Sequence, residues 1–176
     1  MAKVLLIQPS LSSAELFARG SKASASAIPP LGLAYIAACL QRAGHECRIL
    51  DGIAEPQPLE TVLALAEEYD VVGITVVTAF ALRAIELLGA MKARHPKKPV
   101  LVGGPHVTAL PESLFSFGAD YRVVGEGEVT TIELVEGLAA GGASDRLRAI
   151  PGIGFLDNGK YVFTGHRSRI DPLDWV

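Results

Sequence analysis

The chain has 176 residues, 49 % of them hydrophobic and 20 % charged. That is enough for one domain with a real core, and it excludes a disordered or collagen-like polymer. Sixteen basic against nineteen acidic residues leave a formal charge of −3, without the basic excess a duplex-binding surface needs. No apolar run reaches the ~18 residues of a membrane span. The opening Met1-Ala2-Lys3-Val4-Leu5-Leu6-Ile7 is interrupted too soon for a secretory signal. Cys39 and Cys47 match neither a metal spacing nor a disulfide framework, so they read as reduced thiols of a cytoplasmic protein.

In chain order, Lys3 to Ile7 reads as a buried strand. Residues 10–27 are small and polar, a long loop where about 2–6 residues are usual. Residues 30–43 read as a helix, entered through Pro29 and Pro30 and stopped at Gly44. Cys47 to Leu50 is a second strand and Leu59 to Tyr69 a second helix. Val71 to Val77 is a third strand, nearly all apolar, as a central parallel strand is. Phe80 to His95 is a helix with Leu82, Ile85, Leu88 and Met91 on one stripe. Val100 to Val102 is a fourth strand, followed by a short helical stretch at Glu112 to Phe117. Tyr121 to Val124 is a fifth strand, and Glu128 to Ala140 a helix. Asp157-Asn158-Gly159-Lys160 joins Ile153–Leu156 to Tyr161–Thr164 as a hairpin. The βα alternation predicts an α/β, Rossmann-like (flavodoxin-like), doubly wound sheet of five parallel strands. Helices cover both faces, and a C-terminal β-hairpin is added. The expected division is a domain over 1–150 and a hairpin with linker over 151–176.

Open parallel sheets bind ligands beyond the carboxyl ends of their strands. Here those ends read Gln8-Pro9-Ser10, Thr75-Val76-Val77-Thr78, Gly103-Gly104-Pro105-His106 and Gly125-Glu126-Gly127-Glu128. The first lacks the glycine-rich turn of a dinucleotide site. The second lacks the acid of a phosphoacceptor. In the last, carboxylates compete with phosphate for the helix amides, so the stretch suits either a plain helix start or a ligand with neutral donors. Gly103 and Gly104 form a tight turn or a place where a flat ligand approaches the backbone. Thr75 is a satisfied core hydroxyl or a ligand contact.

Taken together, Pro29-Pro30-Leu31-Gly32-Leu33-Ala34-Tyr35, Val71–Thr75, Val102–Thr108 and Asp120–Glu128 resemble the N-terminal cobalamin (B12)-binding domain of B12-dependent radical S-adenosylmethionine enzymes. The resemblance runs from Lys3 to the hairpin. It implies a corrin ring over the carboxyl edge and a nucleotide tail in a groove beside the central strands. Gln8, Pro9, Ser10, Thr75, Val76, Val77, Thr78, Gly103, Gly104, Pro105, His106, Gly125, Glu126 and Gly127 are the expected cofactor contacts. Thr75 and Val77 would lie along the tail, Gly103 and Gly104 would leave room for it, and Glu126 and Gly127 would sit at the corrin rim. Related corrinoid domains carry Asp-x-His-x-x-Gly after the first strand. Gln8-Pro9-Ser10-Leu11-Ser12-Ser13 has no histidine there, so base-off cobalamin without a histidine lower ligand is expected. His106 is expected as a rim or structural residue, and His45, His95 and His166 as solvated.

The Cys-x-x-x-Cys-x-x-Cys that holds a [4Fe–4S] cluster in such enzymes is absent. Cluster and S-adenosylmethionine are therefore expected in a radical domain beyond residue 176. The parent enzyme would be a methyltransferase or a cyclase. Two alternatives stand beside this reading. One is a flavodoxin-like electron carrier for flavin mononucleotide, supported by Ser10, Ser12 and Ser13. The other is a stand-alone corrinoid carrier or sensor.

Overall fold

The computed structural model describes residues 1–10, 29–110 and 112–171. Apart from Ser10, the expected long loop lies outside the described residues. The first strand, β1 (Lys3–Gln8), buries four consecutive side chains, Val4 to Ile7. A strand apolar on both faces has to lie inside a sheet. It pairs in parallel with β2 (Glu46–Asp51) on one side and β3 (Val71–Thr75) on the other. β4 (Val100–Gly103) and β5 (Tyr121–Val123) extend the parallel array.

The hairpin, β6 (Ile153–Asp157) and β7 (Lys160–Phe163), is not an appendix. β6 pairs antiparallel with β5, so among the described residues the sheet has seven strands in the order β2-β1-β3-β4-β5-β6-β7. The hairpin covers backbone groups that β5 would otherwise leave unpaired at an edge. Asn158, at φ 50°, and Gly159, at φ 76°, make its turn.

The helices are α1 (Leu31–Arg42), α2 (Leu59–Ala66), α3 (Ala81–Arg94), α4 (Pro105–Ala109), α5 (Glu128–Ala139) and α6 (Ser144–Arg148). Single 3-10 turns lie at Thr78–Phe80 and Phe115–Phe117. Strand alternation sorts the core into two layers. Leu5, Ile7, Val72, Ile74, Val100 and Val102 face α2 and α3. Val4, Leu6, Val71, Leu101 and Val123 face α1, α5 and α6. Helix α1 meets the sheet through Leu33, Ala37 and Leu40, at helical spacing.

Two expectations need correction. Helix α3 meets the sheet along Ala84, Leu87, Leu88 and Met91, which turns Leu82 outward to 75 % exposure. His45 is buried rather than solvated, and its Nδ1 accepts a hydrogen bond from the Ala2 N–H at 3.2 Å. His95 donates from Nε2 to the Leu63 carbonyl at 2.9 Å, while His166 is exposed.

Arg122 on β5 is the least expected core residue. It is 1 % exposed, and all three of its guanidinium nitrogens lack an acceptor. The cation lies against the rings of Phe115, at 5.4 Å, and Tyr161, at 5.1 Å, so ring quadrupoles replace water in part. Burial pushes its pKa down, opposed by Tyr161 and Glu112. A desolvated cation without an acceptor is a poor core element. Arg122→Met keeps the volume and removes the charge. It is expected to leave the urea midpoint unchanged or to raise stability by about 1–2 kcal/mol. A loss of that size would show that the two cation–π contacts outweigh desolvation.

Candidate functional site

The carboxyl ends of β3 and β4 are tied by the chain itself. The Val76 N–H donates to the Gly103 carbonyl at 2.8 Å, and the His106 N–H donates to the Val76 carbonyl at 3.1 Å. Between them Gly104 turns at φ 101°. A Cβ there would stand 2.9 Å from the Val76 oxygen and 3.1 Å from the Thr75 Oγ1. Only glycine fits this position, for backbone and space alike.

The turn leaves a groove of about 430 Å³ on the α1/α5 face of the sheet. Its floor is Leu6, Gly73, Leu101 and Val123, and its upper end is Thr75 and Gly103 to Pro105. Gly32, Leu33 and Ile36 of α1 form one wall, and Gly125 to Glu128 with Thr131 form the other. A Cβ on Gly103 would meet nothing closer than 3.6 Å, and one on Gly32 nothing within 4 Å. Protein packing does not require these two glycines. At Gly32 the missing side chain leaves open groove, and at Gly103 a Cβ would rest in ordinary contact with Val123.

Seven of the sequence-predicted residues come together here: Thr75, Gly103, Gly104, Pro105, Gly125, Glu126 and Gly127. Others lie elsewhere. Gln8, Pro9 and Ser10 line a different groove, of about 490 Å³, with Arg83, Glu86 and Gln57. Val76 is fully buried in the α2/α3 layer, and Val77 and Thr78 lead into the 3-10 turn. His106 is buried, with Nδ1 3.2 Å from the Thr78 hydroxyl and Nε2 3.5 Å from the Ser113 hydroxyl.

The reading missed Gly32, Leu33 and Ile36, although the motif that opens α1 contained two of them. Glu128 lay in a stretch singled out as suited to a ligand but was left off the expected contacts, and Thr131, three residues on along one face of α5, was missed. Helical spacing from Glu128 is the signal that points to Thr131.

The two acids at the head of α5 differ. Glu126 Oε2 accepts the Ile170 N–H at 2.7 Å, which fastens the segment after the hairpin. Arg167 of that segment donates to the Thr130 hydroxyl at 2.8 Å and pairs with Glu133. Glu128 Oε2 is buried with no hydrogen-bond partner. The helix amides favour a carboxylate there but do not satisfy that oxygen. Its charge reaches α1. Burial pushes the Cys39 thiol up, and Glu128 pushes it further, against Arg42. Cys47 is pushed up to about 11 by burial, and both cysteines are free thiols. Among the described residues no His, Cys, Asp or Glu side chains cluster in a way that could hold a metal ion.

Comparison with known proteins identifies the family of the chain, because the B12 binding domain model matches residues 22–135. The chain belongs to the B12-binding domain family. This B12-binding domain is 35 % identical, over 99 % of its length, to the uncharacterized methyltransferase PH0819 of Pyrococcus horikoshii, of which it spans 37 %. It is 26 % identical, over 89 % of its length, to the anaerobic magnesium-protoporphyrin IX monomethyl ester cyclase of Cereibacter sphaeroides, spanning 26 % of that protein. Its fold matches the radical S-adenosylmethionine methyltransferase TsrM of Kitasatospora setae, solved with cobalamin and a [4Fe-4S] cluster bound. The TM-score is 0.75 at 22 % identity, over 96 % of this chain and 30 % of that one. The chain thus spans roughly a quarter to somewhat over a third of these proteins.

The glycine pair separates two physical roles. Gly104→Ala is expected to cost about 1–3 kcal/mol through strain and the close Val76 oxygen. Gly103→Ala is expected to leave the unfolding midpoint unchanged or slightly raised, since a Cβ fits and strand glycine is entropically costly. Denaturant melts of the two variants check this. Equal losses would mean both glycines serve the turn.

Proposed function

We propose that this domain binds cobalamin with its nucleotide tail in the α1/α5 groove and its corrin over the carboxyl edge of the sheet. The observation that carries the proposal is the groove itself. Gly32 faces open space, and Gly103 adds no side chain to the groove beside Val123. Apolar Leu6, Leu33, Ile36, Leu101 and Val123 suit a flat heteroaromatic base, and Thr75, Thr131 and Glu128 add polar groups that can orient it. Bound cobalamin supplies a cobalt centre able to carry a methyl group. The chain's own residues hold and orient it, and the turn at Gly104 keeps the upper end of the groove rigid.

The lower face of cobalt is proposed to receive no histidine. Gln8, Pro9 and Ser10 offer none at the end of β1. His106 supports the same reading, because it is buried and both its ring nitrogens lie near hydroxyls of this chain.

The whole protein is proposed to be a B12-dependent radical S-adenosylmethionine enzyme, with the seven-stranded domain, hairpin included, as its cofactor domain and the segment after the hairpin leading toward the radical domain. A methyltransferase is favoured over a cyclase by the higher identity to PH0819 than to the cyclase. The [4Fe–4S] cluster and S-adenosylmethionine belong to the radical domain in this reading, and the setting is cytoplasmic. Among the described residues no helix is long and apolar enough to cross a membrane.

The test is to mix the chain with hydroxocobalamin, desalt it and record the absorption spectrum. Stoichiometric retention with a base-off spectrum is expected. His106→Gln is expected to keep that spectrum, and Gly103→Val, which fills the groove, to abolish retention while the fold persists. A spectral change in His106→Gln would make that histidine the cobalt ligand. Unchanged retention by Gly103→Val would place the tail elsewhere.

A further inference from the structure

The chain after the hairpin lies against the head of α5. Its residues sort by exposure: Gly165, Arg167 and Ile170 are partly covered, while His166, Ser168 and Arg169 are exposed. Each covered residue makes an attachment. The Gly165 carbonyl accepts the Gly152 N–H at 2.8 Å. Arg167, its side chain 18 % exposed, donates from Nε to the Thr130 hydroxyl at 2.8 Å and pairs with Glu133. The Ile170 N–H donates to Glu126 Oε2 at 2.7 Å. Glu126, Thr130 and Glu133 recur at i, i+4 and i+7, so one stripe at the head of α5 holds the segment. Glu126 belongs to both sides, because with Gly125 and Gly127 it also lines the groove.

That wall needs support. Glu126 stands between two glycines, and Gly125 turns at φ 79°. Glycines give such a loop wide conformational freedom. On the α4 side the Gly125 N–H reaches the Thr108 hydroxyl at a long 3.3 Å. The bond from Ile170 is shorter, and its carboxylate acceptor makes it the stronger kind.

We propose that residues 165–170 form a strap that positions the groove wall, so that strap docking and cofactor binding reinforce each other. Arg167 is its positioning residue. It does not line the groove and acts through the head of α5. This coupling rests on the corrinoid reading of the groove. A loose wall loses its freedom when a ligand binds, whereas a docked strap has already removed that freedom. Linkage is reciprocal: bound cofactor tightens the strap by the factor with which the strap tightens the cofactor.

The test follows hydrogen exchange of the wild-type chain by mass spectrometry, with and without saturating hydroxocobalamin. The peptide carrying the Ile170 amide is expected to exchange about fivefold or more slowly with the corrinoid bound. Arg167→Ala, titrated with hydroxocobalamin, is expected to bind it about fivefold or more weakly and to lose the ligand-dependent slowing. Glu133→Gln, which weakens one attachment of Arg167 and leaves Thr130, is expected to fall in between. It carries the variant arm if Arg167→Ala fails to fold. Exchange at Ile170 that hydroxocobalamin leaves unchanged or speeds overturns the strap. So does wild-type affinity in an Arg167→Ala chain whose Ile170 amide has lost protection. Slowing shared equally by β7 is stabilisation of the whole fold and overturns it too. In each case the groove reading stands while the wild type retains the corrinoid. A wild-type chain that binds none overturns the groove reading and the coupling with it.

Discussion

The close approach of Gly104 to the end of β3 is the constraint on which the site depends. Two backbone hydrogen bonds, Val76 N–H to Gly103 and His106 N–H to Val76, lock adjacent strand ends with no room for a Cβ between them. Three consequences follow. Thr75 and Gly103 are held side by side in register at the upper end of the groove. Helix α4 starts at once with Pro105, whose fixed φ suits a first helical position. His106 turns away from the groove, toward Thr78 and Ser113. One glycine thereby separates the groove from a histidine that sequence alone would place beside it.

Charge is handled differently at each buried position. Glu126 and Glu128 stand two residues apart at one helix start. The first has become a fastening for the segment that follows the hairpin, and the second keeps one carboxylate oxygen buried and unpaired. Arg122, on the other face of the sheet, is unpaired too, but two aromatic rings flank it. An aromatic face partly replaces hydration for a cation, whereas a carboxylate oxygen needs a donor. Away from the site the ion pairs are ordinary. Arg94 links Glu60 and Glu67 across α2 and α3, and Lys92 pairs with Asp120 at 2.5 Å beside the start of β4.

The two grooves at the carboxyl edge also differ in kind. The one beside Gln8 and Ser10 mixes Arg83, Glu86 and Gln57 with apolar walls. The one between α1 and α5 is built from small or apolar residues with few polar groups, which is the composition of a cofactor site. Both are consequences of a doubly wound sheet, in which helices diverge from the strand ends and leave crevices on each face.

The sequence by itself determined the layer order, the five parallel strands and most of the helix limits. These follow from local periodicity, from consecutive apolar residues in strands buried on both faces, and from glycine and proline at the ends of elements. It also placed the glycine turn and the head of α5 at the carboxyl edge of the sheet, since strand ends are readable without knowing what lies across from them. Only the tertiary structure decided that the hairpin joins β5, because edge pairing depends on which strand is left open. It alone decided that Leu82 points outward, that His45 is buried, and that Gln8 to Ser10 line a separate crevice. It brought Gly32, Leu33 and Ile36 opposite Glu128 and Thr131, although some ninety residues of chain separate the two helices. Which of two neighbouring carboxylates is free could not be read locally either. That depends on the Ile170 amide, 44 residues further along the chain, and hydrogen-bond satisfaction is a property of the folded whole.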